Sequence, residues 1–421
     1  MKIIKIISIV SLIFMTAGIC YSQSPWTTQI SGTTETLNSV SFSGTLNGWV
    51  SGNNGIILNT TNGGLNWNIQ NSGVNVNLQS ICFVNILTGW TVGATGIILK
   101  TINGGQVWSI QQSGFPNLTL YSIDFTNALS GFAVGFETDL GPAVAKTTNG
   151  GVSWIKLNYD LPAANIFNSV HFPSSSSGWI VTGGGRIYST ANGFILIPQV
   201  SGVTGALSSV FFTDNFNGYI TGAGGIILRT FNGSTWFQVQ SGVTAELNSV
   251  FFPVSSTGWT CGGGGTILET TNSGVNWSSQ NSGTTQTLRS IVFTNSSIGW
   301  AVGDLGTIIN TTTGGSLTGI AQISNSVPVK ENLFQNYPNP FNPSTKIVFE
   351  IPGGKGIARN SLVKLILYDA AGREVTTLVN AQLNPGKYEI EFDAAKYSSG
   401  VYYYKLSTDS KSEVKKMVLV K

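Results

Sequence analysis

The stretch Ser24–Thr36, SPWTTQISGTTET, holds a Trp, a short alternation of polar and apolar positions, a Ser-Gly pair and a polar turn. The same texture returns at 65–77 as LNWNIQNSGVNVN, at 106–114 as QVWSIQQSG and at 275–287 as VNWSSQNSGTTQT. Each time it closes a longer unit. The chain therefore opens on the last piece of a repeat whose first pieces come later.

The first pieces are hexapeptides: LNSVSF, LQSICF, LYSIDF, FNSVHF, LSSVFF, LNSVFF and LRSIVF, beginning at Leu37, Leu78, Leu120, Phe167, Leu207, Leu247 and Leu288. They are spaced by 40 to 47 residues. A Gly-aromatic pair follows each one: Gly48-Trp49, Gly89-Trp90, Gly131-Phe132, Gly178-Trp179, Gly218-Tyr219, Gly258-Trp259 and Gly299-Trp300. Then come a Gly-rich turn, an aliphatic run such as GIILNT, and in most units a turn and a Trp segment. Each unit reads as four short strands parted by Gly, Asn and Ser turns. A period in the forties with four strands is the mark of a β-propeller blade, which covers its faces only by stacking in a ring.

The seventh unit stops after GTIINTTTGG, before its Trp segment. Trp26 stands where Trp67, Trp108, Trp154, Trp236 and Trp277 stand in other units. The expectation is an all-β, seven-bladed propeller over 23–315 whose N-terminal strand completes the last blade and removes the open sheet edges.

Composition narrows the chemistry. Charged residues are 9% of the 421, against about 25% in ordinary globular chains. From Gln23 to Thr318 there are nine acids and six bases; the residues beyond carry nine acids and thirteen bases. Neither balance makes the clustered basic surface that nucleic acid needs. Residues 1–22 read as a signal peptide, with Lys2 and Lys5 before an apolar run from Ile6 to Ile19 that is too short to span a bilayer comfortably. No later segment is long and apolar enough to span one. Cys82 and Cys261 fall in distant repeats and read as buried thiols rather than a disulfide.

The turn before the Trp segment reads TTNGGLNW, TINGGQVW, TTNGGVSW and TTNSGVNW, with a shortened TFNGSTW in the fifth unit. This resembles the Asp-box, or BNR, repeat, with Asn62, Asn103, Asn149, Asn232 and Asn272 at the usual Asp position. The Asn carbonyl is expected to accept from a backbone N–H two residues on, and the following Gly to take positive φ. The whole repeat is similar to the photosystem II stability/assembly factor-like branch of BNR propellers. That branch is associated with an arginine patch, and Asp-box sialidases use an arginine triad. Here the propeller has only Arg186, Arg229 and Arg289, at positions that assemble neither.

From Leu333 the texture changes to LFQNYPNPFNPSTKIVFEIP, then VKLILYDAAGREVTTLV and LNPGKYEIEFDAAKYSSGVYYYKL. Alternation such as Tyr402, Tyr404 and Leu406 against Tyr403 and Lys405 predicts a small Ig-like β-sandwich over 331–421. Residues 316–330 read as a polar linker. The passage resembles the type A C-terminal sorting domain of the type IX secretion system. The resemblance implies periplasmic transit, recognition by the type IX machinery, and delivery to the cell surface or release.

Few residues carry chemistry. The GNNG, GATG, GAGG, GGGG and GDLG turns lack a Gly-Lys-Ser/Thr and lead into strands, so they read as turns and not phosphate loops. Blade three inserts GFETDLGP, which puts Glu137 and Asp139 at the rim, and Asp304 lies on the corresponding loop of blade seven. Rim carboxylates have the chemistry for Ca²⁺ or a sugar; a solvated loop is the simpler reading. His171, the one histidine, shares a repeat position with Asp124, and both are expected nearest the channel. A structural hydrogen bond is favoured there over a hydrolase site, which also needs a nucleophile and an oxyanion site. The expected function is a non-catalytic surface or extracellular binding protein with a glycan or protein partner. A glycan-cleaving hydrolase and a passive matrix component are the alternatives.

Overall fold

The computed structural model describes residues 26–158, 165–315, 320–324, 328–353, 361–383, 385–395, 397–408 and 411–421. The signal peptide reading, 1–22, lies outside the described residues. Among them are nine four-stranded antiparallel sheets, seven of which are the expected blades. In blade one the strands are Leu37–Ser43, Asn47–Gly52, Ile57–Thr60 and Asn68–Gln70, each hydrogen-bonded to the next. Blade seven is completed by Thr27–Gln29, which pairs with Ile308–Thr311 in the register Thr27↔Asn310, Gln29↔Ile308. The ring is thus closed by first and last strands.

One aromatic arrangement, repeated around the ring, holds blade to blade. The strand-two aromatic of each blade lies flat on the last Phe of the next hexapeptide, as in Trp49 on Phe83 and Trp90 on Phe125, both at 3.6 Å between centroids. The circuit ends with Trp300 on Phe42, also at 3.6 Å. The strand-four Trp then meets that same Phe edge-on, as Trp108 meets Phe83 at 5.9 Å. Such pairs contribute roughly 0.5–1.5 kcal/mol each beyond their buried area. They also explain the Gly of each Gly-aromatic pair. A Cβ on Gly89 would come within 2.6 Å of the Phe83 ring.

The Asp-box turns depart from the expected two-residue reach. Asn62 Oδ1 accepts from the N–H of Asn66, four residues on, at 3.0 Å, and Asn103, Asn149 and Asn272 do the same with Val107, Ser153 and Asn276. The two-residue bond occurs only in the shortened turns, from Phe194 N to Asn192 and Ser234 N to Asn232. The longer turns carry an extra residue with positive φ, such as Gly64 after Gly63, and this displaces the nearer N–H. A Thr two positions before the Asn takes part as well: Thr60 Oγ1 accepts from Gly64 N at 2.8 Å.

The C-terminal unit is a two-sheet sandwich. Its core, from Leu333 to Leu419, is made of its own residues. The YPNPFNPST segment is tied into it. Buried Asn336 donates to Thr345 Oγ1 and Pro338 O, Tyr404 donates to Phe334 O, and Phe341 N donates to Val418 O. The stretch read as a linker, 316–330, is not linker throughout: Ile320–Ser324 forms a strand on Gly386–Asp393. Its five residues carry too little pattern of their own to show this. The pairing partner makes it a strand.

Candidate functional site

The hexapeptides line the channel, and their third residue is Ser in every blade. Each of these hydroxyls accepts the backbone N–H of the fourth hexapeptide residue of the following blade. Ser39 takes Ile81, Ser80 takes Ile123, Ser122 takes Val170 and Ser169 takes Val210, all at 3.2 Å. Ser209 takes Val250, Ser249 takes Ile291 and Ser290 takes Val40, at 3.3 Å. The circuit closes on itself. The recurring Ser of the hexapeptides is its one signal in the sequence, and spacing alone does not say which partner that Ser meets.

The fifth position continues the stitching on one arc only. Ser41 Oγ accepts from Phe83 N, Asp124 Oδ2 from Phe172 N at 2.7 Å, and His171 Nδ1 from Phe212 N at 3.2 Å. Cys82 holds the same position and faces the Phe125 backbone; burial, then the charge of Asp124, pushes its thiol up to about 12. On the other arc the position is Phe211, Phe251 and Val292. His171 leans on Phe211 at 4.7 Å, and Phe211 on Phe251 at 4.9 Å. Asp124 and His171 are thus neighbours in the channel, each bonded to the next blade's backbone, and the two side chains share no hydrogen bond. Burial holds the His171 pKa below its usual value, against the opposing charge of Asp124.

The rim carboxylates are dispersed. Glu137 ends the second strand of blade three, is only 7% exposed and is ion-paired with Lys156 of the same blade. Asp139 is exposed in the hairpin beyond it. Asp304 belongs to blade seven and pairs with Arg289 at 2.6 Å. A Ca²⁺ at either loop has to compete with a cation already in place. Among the described residues no group of three or more His, Cys, Asp or Glu is placed to hold a metal.

At the mouth beside the GNNG-type turns, each first strand bulges at the second residue of its hexapeptide. Those residues are Asn38, Gln79, Tyr121, Asn168, Ser208, Asn248 and Arg289, none of them buried. Asn38, Asn168 and Asn248 each donate to the first hexapeptide carbonyl of the next blade at 2.8–2.9 Å. Asn38 also reaches Asn53 on the turn. The seven bulge side chains are polar and Arg289 alone among them is charged; Asp304 pairs with it, and the Glu246 carboxylate accepts from Ser208.

Residues 20–113 match the family model of the photosynthesis system II assembly factor YCF48, and residues 335–421 match that of the secretion system C-terminal sorting domain. The chain is a BNR-type β-propeller with a type IX sorting domain. Among solved structures, YCF48 bound to D1 peptide shares 22% identity over 69% of this chain and 97% of its own, with a TM-score of 0.58. YCF48 from Cyanidioschyzon merolae shares 18% over 68% and 98%, at 0.57. The GH74 xyloglucanase from Xanthomonas campestris shares 12% over 77% of this chain and 59% of its own, at 0.56. At these identities the likeness is one of fold. No match is found among curated protein sequences. The sorting domain marks the protein for type IX export to the cell surface or beyond, and no helix among the described residues is long and apolar enough to cross a membrane.

Proposed function

We propose that this exported propeller is a non-catalytic binding protein whose loop face takes a glycan or protein partner. The observation that carries the reading is the channel mouth, where six of seven bulge positions hold uncharged side chains and none is buried. Amide and hydroxyl groups both donate and accept, which suits a hydroxyl-rich ligand or a polypeptide backbone. A peptide-bound propeller of like fold keeps the protein partner beside the glycan. Asp124 and His171, which a hydrolase would draw on, each commit an acceptor atom, Oδ2 and Nδ1, to stitching blades.

Gln79 and Tyr121 are the mouth residues to test, because neither side chain is engaged in the inter-blade bonds that Asn38, Asn168 and Asn248 make. The full chain is screened against cell-wall glycans and surface proteins, and any saturable ligand is retested on Gln79→Ala and Tyr121→Ala. Each substitution is expected to weaken binding about tenfold, the loss of one or two hydrogen bonds, with an unchanged melting temperature. A ligand indifferent to both sinks the loop-face reading.

A further inference from the structure

Three of the propeller's six basic side chains, Lys100, Lys146 and Arg229, occupy one repeat position. Each lies across the sheet from a strand-two aromatic: Trp90, Phe132 and Tyr219. Among the described residues none of the three has an ion-pair partner, whereas Lys156 and Arg289 do. Two are roofed by aromatic rings. Phe194 lies 3.5 Å from Lys146 Nζ, and Phe231 lies 3.9 Å from the Arg229 guanidinium. Lys100 has only Trp90, 5.2 Å from its Nζ. It forms the floor of a cleft of about 480 Å³, walled by Ile102, Val107 and Val152, with Ser109 and Gln111 as polar lining.

The cleft is also a place where a blade-to-blade lock is broken. In blades one, four, six and seven a strand-four Gln bridges to the next blade. Gln70 accepts from Trp108 Nε1 at 3.1 Å and donates to Gly104 O at 3.2 Å; Gln29, Gln199 and Gln280 make the same two bonds. In blade two, Lys100 Nζ takes the carbonyl instead, donating to Gly150 O at 2.7 Å. Gln111 turns to the carbonyl of Ser109 at 3.5 Å. Trp154, only 8% exposed, is left with its Nε1–H unpartnered. Gly150 O receives the Lys100 ammonium and, at 3.3 Å, the Trp90 indole. The Lys100 charge thus rests on a neutral carbonyl, with no carboxylate partner among the described residues.

We propose that this cleft binds a monocarboxylate bearing a compact aliphatic group. A carboxylate supplies the counter-charge that Lys100 lacks, and one ammonium balances one negative charge, which disfavours a dianion in a partly desolvated site. The exposed Ile102, Val107 and Val152 side chains gain by covering a branched carbon chain. Burial already keeps the Lys100 pKa below the usual lysine value, and a bound carboxylate relieves that cost. The cleft lies beside the Asp-box turns, at the opposite end of the strands from the channel mouth, so it stands or falls independently of the loop-face reading.

The test titrates the full chain with 3-methylbutanoate, its neutral amide and 3-methylbutyl phosphate, by calorimetry and by the indole N–H signals of ¹⁵N-Trp protein. Saturable binding of the acid is expected, with the amide and the phosphate each at least tenfold weaker. The indole signal missing in Trp154→Phe should shift with the acid. Lys100→Asn, which installs the residue blades one and seven carry as Asn59 and Asn310, should lose at least tenfold in affinity. So should Val152→Asp, whose site is 76% exposed and tolerates substitution even if Lys100→Asn fails to fold. Absent binding of the acid, equal binding of the amide, tighter binding of the phosphate, or full affinity in Val152→Asp overturns the proposal.

Discussion

His171 makes its inter-blade bond only as the neutral ring, because Nδ1 must accept from Phe212 N–H. Its pKa is held below 6.5 by burial. The unfolded chain therefore takes up a proton as the pH falls through 6.5 while the folded chain does not. The stability linked to this group is complete above that value and is lost as the pH falls toward the folded pKa, by up to about 1.4 kcal/mol per pH unit. The denaturation midpoint should drop between pH 7.5 and 5.5. His171→Ser, which copies Ser41 at the same repeat position, should flatten the drop; parallel curves would remove His171 as its cause. A second residue-scale prediction concerns Trp277, whose Nε1 is buried without an acceptor. Val239 stands 38 positions before it, as Gln29 stands before Trp67 and Gln70 before Trp108. Supplying the acceptor with Val239→Gln should recover about 1 kcal/mol of an unmade bond and raise the melting temperature by roughly 2–4 °C. A lower melting temperature would mean the repeat equivalence fails at blade six.

At the scale of the element, the N-terminal strand is the piece without which the ring is open. Trp26 is 2% exposed, meets Phe293 edge-on at 5.7 Å and donates to Gln280 at 3.0 Å across the blade boundary. Trp26→Ala should cost about 3–5 kcal/mol. Removing the chain up to Ile30 should go further, baring the Ile308–Thr311 edge, and appear as oligomers in light scattering. A monomeric truncation with unchanged melting would show that the first strand does not seal the ring. This closure was legible because a Trp segment missing at one end and present at the other is a pattern of absolute positions. The seven hexapeptides disclosed the first strands for the same reason. The blade-to-blade chemistry was less legible. The Ser39-type circuit and the Gln70-type bridges join residues about 40 apart on different sheets, and a repeat read as a single blade shows what recurs but not what it touches. The Asn62 bond was placed two residues on and is found four on, since an extra left-handed Gly changes which N–H arrives. Lys100 drew no notice as one base among six. Only its register beside Trp90 and its hold on Gly150 set it apart.

At the scale of the whole molecule, the two parts of the chain are built by different rules. The propeller is stitched from eight small buried clusters, each shared between neighbouring blades, two of them between blades five and six, and is poor in charge. The tail has one core of its own, drawn entirely from Leu333 to Leu419, with thirteen bases beyond Thr318 against six from Gln23 to Thr318. A unit with a private core folds without its neighbour, which suits a domain read by export machinery rather than by the propeller's ligand. Deleting residues 331–421 should leave the propeller's melting temperature within about 1 °C, since no propeller core loses a side chain. In a host with type IX secretion the full chain should reach the cell surface or medium, and the truncated chain should stay in the periplasm, as fractionation and surface proteolysis would report. Buried Asn336 gives a finer version. Asn336→Leu removes its bonds to Thr345 and Pro338, should unseat the YPNPFNPST segment from the sandwich, and should lower export without touching the propeller's melting. Equal export of the full and truncated chains would show that the route out of the cell does not run through this tail.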